Sequence, residues 1–342
     1  MCRTKCIGPS RRMRSQDDNL FFIFSMIEKT NAIAFLFPGQ GSQAVGMGRD
    51  LFEKYPVARQ TFEEADDVLG YSLSQLCFEG PEEQLRFTEI TQPAILTVSI
   101  AALRVLETRI PKASYVAGHS LGEYSAHVAS GTMTFADALC TVRNRGKYMQ
   151  EAVPMGVGAM AAILGMAPDK VADVCRHAAQ GEVCELANIN SPEQIVISGN
   201  TGAVERATKL ADERGAKRAK LLPVSAPFHC SLMKPAQDRL EADLTALKLQ
   251  KPVYPVVCNV DAAFVTDELQ SRDTLVRQVT GSVKWDQCMR LLIAHGIQTF
   301  VEVGPGKVLC GLMRQIDRSK TCVNVADEAS LEKALEHVTA AA

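Results

Sequence analysis

Residues 118–122, with the sequence GHSLG, restrict the fold of this chain more than any other segment. The apolar run 114–117 precedes them and predicts a buried strand, and a helical pattern at 123–129 follows. Glycines on both sides of Ser120 let the chain turn sharply from strand to helix, which exposes the serine hydroxyl. The helix N-terminus behind it favours developing negative charge. The segment predicts a serine nucleophile on an α/β scaffold, although the same glycines could simply form a tight turn.

Strand and helix patterns alternate through most of the chain. The apolar runs 32–37, 253–258 and 299–303 predict buried strands, and the runs 50–69 and 93–108 predict helices, the second with Pro93 in its first turn. Such alternation is typical of a mainly parallel sheet covered by helices on both faces. We therefore expect an α/β fold.

The pattern changes between residues 156 and 224. It reads strand, helix, two strands, helix and strand, with a hairpin at 190–193 and Gly215 ending the second helix. This is the order of a ferredoxin-like split unit. We expect four parts, which are an extension without a folded role (1–25, with Met26 as an alternative start), a core (32–153 and 226–325), an inserted subdomain (154–225) and a C-terminal helix or tail (326–342).

Composition and charge exclude several classes of protein. The net charge of −2 over 342 residues gives no general attraction to nucleic acid or to an anionic membrane. No apolar run is as long as a membrane span, and the run at 20–24 is far too short. The eleven cysteines include no C-x-x-C pair, which favours reduced thiols over a disulfide framework or a zinc site. We expect a cytoplasmic monomer that binds neither nucleic acid nor membrane.

A serine nucleophile requires a base, and His229 is the best candidate among the six histidines. His119 adjoins the serine and faces elsewhere. Four others fit surface or packing positions, namely His127, His177, His295 and His337. His229 lies in an extended loop after the last strand of the insert, and catalytic side chains concentrate in loops held by a scaffold.

Acyl transfer also requires donors for an oxyanion. In a strand–serine–helix turn, the N–H of the residue after the nucleophile supplies one donor, here that of Leu121. The glycine-rich loop 37–43 suits the second donor, because glycines let the backbone approach a ligand closely. This loop lacks the spacing and the lysine of a phosphate-binding Walker motif.

Six motifs, in this order, resemble the malonyl-CoA:acyl-carrier-protein transacylases of type II fatty acid synthesis. The resemblance runs from about residue 32 to about residue 325, and its motifs are FPGQGSQ (37–43), GHSLGEY (118–124), RGKYMQEAV (145–153), ANINSPEQIVISG (187–199), SAPFHCSLM (225–233) and VEVGPGKVL (301–309). Together they are far more specific than any one of them.

The resemblance implies an α/β-hydrolase-like core with a mainly parallel sheet plus an inserted ferredoxin-like (βαββαβ) subdomain. It implies catalysis by Ser120 and His229 without a carboxylate as third member, with the backbone carbonyl of Gln278 orienting the histidine. The backbones of Gln40 and Leu121 would donate to the oxyanion. No metal or redox cofactor is implied, since malonyl-CoA is the substrate and acyl carrier protein the partner.

Arg145 matches the carboxylate-binding arginine of the family. A guanidinium can bind both oxygens of the malonyl carboxylate, and an acetyl group would leave it unpaired in a closed site. Without the resemblance, Arg145 reads more readily as a helix-surface arginine.

Asn188 falls at a motif position that lines the cleft between the subdomains, and a turn or strand-pairing role fits it equally well. The basic cluster Lys217, Arg218 and Lys220 could meet an acidic carrier protein or be a solvated surface.

Two other functions stay open at this stage. A discrete acyltransferase of a polyketide synthase would use the same chemistry with another carrier. A serine hydrolase would normally show the order Ser…Asp…His, and no acid between Ser120 and His229 lies in an obvious triad loop.

Overall fold

The computed structural model describes residues 32–110, 113–224 and 226–341, and a six-stranded sheet lies at its centre. Its strands are β1 (Ile33–Phe37), β2 (Tyr115–Gly118), β7 (Val256–Cys258), β8 (Ala263–Val265), β9 (Thr299–Val303) and β10 (Thr321–Val325). Their order is β10-β9-β1-β2-β7-β8, in which only β8 runs antiparallel to its neighbour. The expected α/β class is confirmed. The extension predicted at 1–25 lies outside the described residues.

The two faces of this sheet are covered by separate apolar cores. Ile33, Phe35 and Phe37 of β1 belong to one core, whereas Ala34 and Leu36 belong to the other. This division explains why β1 reads as a continuous apolar run, since both faces of a central parallel strand are buried.

The helices of this unit are α1 (Arg49–Lys54), α2 (Pro56–Leu69), α3 (Leu73–Glu79), α4 (Glu82–Leu85), α5 (Thr88–Leu106), α6 (Gly122–Ala129), α7 (Phe135–Glu151), α10 (Lys234–Ala246), α11 (Glu268–Gln278), α12 (Trp285–Ala294), α13 (Val308–Ile316) and α14 (Glu328–Ala341).

A separate four-stranded sheet lies between β2 and β7 in the sequence. It consists of β3 (Gly158–Leu164), β4 (Cys184–Ser191), β5 (Gln194–Asn200) and β6 (Arg218–Leu221), in the order β4-β5-β3-β6 with every pair antiparallel. The helices α8 (Pro168–Ala179) and α9 (Thr201–Glu213) share a core with it. This arrangement is the ferredoxin-like unit expected from the sequence. The domain boundaries themselves stay a prediction.

The insert is joined to the larger unit through β4. The N–H of Ile189 donates to the Val283 carbonyl at 2.9 Å, and the N–H of Val283 donates to the Ala187 carbonyl at 2.9 Å. The Ser191 hydroxyl also donates to Gln315 Oε1 at 2.8 Å. One edge of the insert is therefore fixed against the segments that follow α11 and end α13.

Several expectations for the helices are wrong in detail. The single helix expected at 50–69 is divided at Tyr55, because a residue before proline is driven out of the helical region. The helix expected to begin at Pro93 begins at Thr88, so that Pro93 lies inside it. Its first turn was missed because it is polar in sequence, although its Thr91 and Gln92 are buried. Elements not anticipated from the sequence are α3, α4, α7, α10, α13, β8 and β10.

Two expectations from composition also require correction. Helix α5 is long and apolar enough to cross a membrane, contrary to the expectation that no segment is, but 83% of its most apolar window is buried. It is therefore a core helix. Cys310 and Cys322 form a disulfide, which contradicts the expectation that all thiols are reduced. The parallel pairing of β10 with β9 brings Cys322 beside α13, a proximity invisible in the sequence.

Candidate active site

Ser120 occupies a sharp turn between β2 and α6. Its φ of 52° lies in the left-handed region, which is strained for a residue other than glycine. The neighbouring glycines are required by close backbone contacts. A Cβ on Gly118 would lie 1.9 Å from the carbonyl of Gly122, and a Cβ on Gly122 would lie 2.0 Å from the Phe37 oxygen. The strand–serine–helix turn is therefore present as predicted. Any residue with a Cβ atom would collide with the backbone at either glycine.

His229 lies directly against Ser120, although 109 residues separate them in sequence. The serine Oγ is 2.7 Å from His229 Nε2, and His229 Nδ1 is 2.9 Å from the Gln278 carbonyl. A carbonyl can only accept, so we assign the ring proton to Nδ1, which leaves Nε2 to accept from the serine. Gln278 ends α11, and its carbonyl is one of those that a helix leaves unpaired.

The imidazole of His229 is held in its neutral form. The side chain is buried, and burial together with the charge of Arg145 lowers the pKa of His229 to about 3, while the bond to Gln278 opposes the shift. A neutral imidazole can take a proton from a hydroxyl. The pair therefore has the geometry and the protonation state of a nucleophile with its base.

Arg145 reaches the same hydroxyl from α7. Its Nη2 donates to Ser120 Oγ at 3.1 Å and to Gln278 Oε1 at 3.0 Å, and its Nη1 donates to Gln92 Oε1 at 2.8 Å. The residue is only 2% exposed, so the helix-surface interpretation is wrong. Burial lowers the pKa of Arg145, and the nearby Tyr124 and Glu123 oppose that effect. The site thus presents a buried guanidinium, hydrogen-bonded by neutral side chains, beside the nucleophile.

The glycine-rich loop after β1 meets the serine turn because β1 and β2 are neighbours with Phe37 paired to Gly118. A Cβ on Gly39 would lie 2.4 Å from the His119 oxygen, so the two loops are in close contact. Within ranges 32–110, 113–224 and 226–341, the backbone N–H groups of Gln40 and Leu121 donate to no acceptor. Both remain free for a ligand, and their role as oxyanion donors stays a prediction.

Asn188 lies on β4 at the junction of the two units. It forms a bridge with Val283 and is 8% exposed, which favours the strand-pairing alternative.

In the basic cluster, Lys217 is paired with Glu193 at 2.8 Å. Arg218 and Lys220 are exposed on the edge strand β6, where residues two apart share a face.

Three polar side chains of this site were not predicted from the sequence, namely Gln92, Glu123 and Asn259. Asn259 Oδ1 accepts the Ser120 N–H at 2.7 Å, and its Nδ2 donates to the Gly118 carbonyl at 2.8 Å. A signal for Asn259 existed, since it follows β7 at the carboxyl end of a parallel strand, where ligand sites of α/β sheets lie.

The other histidines do not reach the nucleophile. His119 is turned away, with its Nε2 2.8 Å from Asn190 Oδ1 and its ring 5.4 Å from that of Trp285. His127 is fully buried, and burial lowers its pKa to about 3. In the described part of the chain, no group of three or more His, Cys, Asp or Glu side chains is placed to hold a metal ion.

Known proteins share this sequence and this fold over nearly their whole length. The acyl transferase domain family matches residues 34–335. The malonyl CoA-acyl carrier protein transacylase of Escherichia coli strain K12 is 48% identical over 304 residues, which cover 89% of this chain and 98% of that protein.

Solved structures agree with this match. An acyl carrier protein S-malonyltransferase from Vibrio cholerae superposes with a TM-score of 0.87 at 49% identity, over 89% of this chain and 99% of that one. A malonyl-transacylase in complex with a type II PKS acyl-carrier protein gives 0.88 at 46% identity, over 90% and 100%. The chain therefore belongs to the acyl transferase family and, within it, to the malonyl CoA-acyl carrier protein transacylases.

Proposed function

We propose that this protein transfers the malonyl group of malonyl-CoA to the phosphopantetheine thiol of an acyl carrier protein, through a malonyl ester on Ser120, and so supplies fatty acid synthesis. One observation carries the proposal. Ser120 Oγ lies 2.7 Å from a neutral imidazole nitrogen and 3.1 Å from a buried guanidinium nitrogen. A nucleophile, its base and a receptor for a carboxylate thus converge on one atom.

In the first half-reaction, Ser120 Oγ bonds to the thioester carbonyl carbon while its proton passes to His229 Nε2. The tetrahedral oxyanion is received by the backbone N–H groups of Gln40 and Leu121. The carbon–sulfur bond then breaks, and the departing CoA sulfur takes the proton back from His229. Bonds and protons balance in this sequence without a metal or a redox cofactor.

Arg145 gives the reaction its acyl-group preference. The terminal carboxylate of malonyl can replace the serine and amide oxygens that the guanidinium contacts in the free site. Charge-assisted pairs of this kind are roughly twice as strong as neutral hydrogen bonds. An acetyl group offers no such partner, so its transfer is disfavoured.

The second half-reaction returns the acyl group to a thiol. The carrier's thiol attacks the ester carbonyl while His229 accepts its proton, and the same proton restores the Ser120 hydroxyl. The exposed cations of β6, Arg218 and Lys220, offer a face for an acidic carrier. A groove of about 690 Å³ lies between the insert and α13, and both cations and acids line it, among them Lys217, Arg314, Glu193 and Asp317.

Mass spectrometry of the protein after exposure to malonyl-CoA tests the proposal directly. We expect one malonyl adduct per chain, located on Ser120 after digestion and discharged when holo carrier protein is added. Ser120→Ala should form no adduct, whereas Ser319→Ala, at an exposed turn, should form it normally. An adduct that persists in Ser120→Ala, or discharge to water faster than to carrier, would overturn the proposal.

A polyketide carrier is the second candidate partner. It is favoured by the 46% identity to a malonyl-transacylase whose structure contains a type II PKS acyl-carrier protein. Transfer rates from the malonylated protein to a fatty-acid carrier and to a polyketide carrier, compared at equal concentration, distinguish the two. A faster rate with the polyketide carrier would reassign the pathway and leave the chemistry unchanged.

A further inference from the structure

Glu123 is a fully buried carboxyl group directly beneath the nucleophile. It stands in the first turn of α6, three residues after Ser120, and has no exposed surface. Its Oε2 accepts from the Asn259 N–H at 2.9 Å and from Gln278 Nε2 at 2.7 Å. A carboxyl group is costly to bury unless hydrogen bonds compensate for the lost water, so these two contacts are not incidental.

The hydrogen bond between Gln278 and Glu123 fixes the orientation of the Gln278 amide. Gln278 Nε2 donates to Glu123 Oε2 and to the Ser120 carbonyl at 3.0 Å, while its Oε1 accepts from Arg145 at 3.0 Å. Acceptors surround one end of the amide and a donor faces the other. A flipped amide would set N–H against guanidinium and oxygen against carboxylate, so only one orientation satisfies all partners. Glu123 therefore helps to place Arg145, which it does not touch.

The hydrogen bond from the Asn259 N–H to Glu123 fixes the position of Asn259. With its own N–H held by Glu123, Asn259 accepts the Ser120 N–H at 2.7 Å and donates to the Gly118 carbonyl at 2.8 Å. These two bonds hold both sides of the strained serine turn. The same Gln278 whose side chain Glu123 binds also presents its backbone carbonyl to His229.

The carboxyl group of Glu123 is coupled electrostatically to Arg145. Arg145 and Glu123 lie at the two ends of the Gln278 amide, and Glu123 Oε1 has no hydrogen-bond partner among the described residues. Burial raises the pKa of Glu123 to about 7, while the bonds from Asn259 and Gln278 and the charge of Arg145 oppose the rise. The contacts that favour the ionised form are thus the same ones that build the site.

We propose that Glu123 is a positioning residue for acyl transfer, which acts as a hydrogen-bond acceptor for Gln278 and Asn259 and thereby holds the nucleophile, its base and the carboxylate-binding arginine in one arrangement. The proposal rests on the function proposed above. It predicts that loss of the acceptor impairs two separate properties together, the reactivity of Ser120 and the preference for malonyl over acetyl.

The test uses two replacements of similar size. In Glu123→Gln the amide oxygen can take the place of Oε2 and accept both hydrogen bonds, while the amide nitrogen takes the place of the unpartnered Oε1. Glu123→Met fills the same space and accepts neither. Glu205→Met, at an exposed position on α9, is the matched control.

Two measurements report on the two properties. Labelling of Ser120 by a small uncharged fluorophosphonate reports the Ser120–His229 pair, and the ratio of kcat/KM for malonyl-CoA and acetyl-CoA reports Arg145. We expect Glu123→Met to lose about 10- to 100-fold in both, as two buried donors lose their acceptor. Glu123→Gln and Glu205→Met should stay within about threefold of the parent protein, which is under 1 kcal/mol on the same scale.

Two results would overturn the proposal. The first is a folded Glu123→Met protein whose labelling rate and malonyl-to-acetyl ratio are both unchanged, whether or not its thermal stability is reduced. The second is a folded Glu123→Gln protein that loses about 10-fold or more in both measurements, and this outcome is decisive even if Glu123→Met does not fold. A failure of the proposed function is distinguishable, because the unaltered protein would then form no malonyl adduct at all.

Discussion

Replacing Arg145 with alanine should abolish the preference for malonyl over acetyl. The guanidinium is 2% exposed and donates from Nη1 and Nη2 to neutral oxygens in the free site. We expect two of these N–H groups to be redirected to the substrate carboxylate. A hydrogen bond to a charged group contributes about 1.5–3 kcal/mol, so two of them give about 3–6 kcal/mol. The corresponding loss of discrimination is about 10²- to 10⁴-fold.

The assay is kcat/KM for malonyl-CoA and for acetyl-CoA, measured in the parent protein and in Arg145→Ala. The substitution also removes the contacts of Arg145 with Ser120 and Gln278, which serve both substrates. Dividing one kcat/KM by the other cancels this common damage and isolates the interaction with the carboxylate. Arg145→Lys should be intermediate, because it keeps the charge without the planar fork.

Arg143→Ala provides the matched control, since Arg143 lies on the same helix and is exposed. Its selectivity should equal that of the parent protein. A malonyl-to-acetyl ratio that is unchanged in Arg145→Ala would refute the reasoning, whatever happens to the absolute rates. So would an equal loss of selectivity in Arg143→Ala.

Three further predictions follow from burial and close packing. The acid limb of kcat/KM should lie below about pH 5, because the pKa of His229 is lowered to about 3 and the base stays neutral above it; a midpoint near its ordinary value of 6.5 would contradict this. His127 should destabilise the fold in acid, because its folded pKa is depressed to about 3: its contribution is complete above 6.5 and falls by about 1.4 kcal/mol per pH unit below that. The free energy of unfolding of His127→Phe, unlike that of Ser319→Ala, should accordingly shift by about 2 kcal/mol relative to the parent between pH 6.5 and 4.5, since His127 is already half protonated in the unfolded chain at pH 6.5. Gly122→Ala should lose activity and more than about 3 kcal/mol of stability, since its Cβ would lie 2.0 Å from a backbone oxygen, whereas Gly311→Ala, with no atom within 4 Å of the new Cβ, should be neutral or stabilising in thermal unfolding.

Much of this structure was accessible from local patterns in the sequence. The strand 299–303 has the predicted bounds, because its apolar residues and the glycine that follows them act locally. The serine turn was likewise readable, since its glycines are required within one short segment. His229 needed elimination and a resemblance, because only the fold brings it 2.7 Å from a serine 109 residues away.

The side chains that sequence analysis missed are defined by distant contacts. Glu123 meets Gln278 across 155 residues, and Asn259 meets Ser120 across 139. No periodicity or turn signal records which segments will meet in this way. Helix α7 was missed although its start carries a local signal, a Thr134 side chain that accepts the Asp137 N–H. The placement of Arg145 beside the nucleophile was therefore predicted by resemblance alone.

The orientation of His229 by a carbonyl has a consequence for which nucleophile can complete the reaction. A carbonyl carries only a partial charge, so it stabilises an imidazolium less than an aspartate would. Ser120 is a similarly weak acid but is held 2.7 Å from this base, whereas a water molecule, whose pKa is about 15.7, has to be captured from solvent. A thiol, with a pKa of about 8.5, needs far less assistance. We therefore expect the acyl ester to be long-lived in water and short-lived before a thiol, so that the acidity of the acceptor directs the acyl group to the carrier.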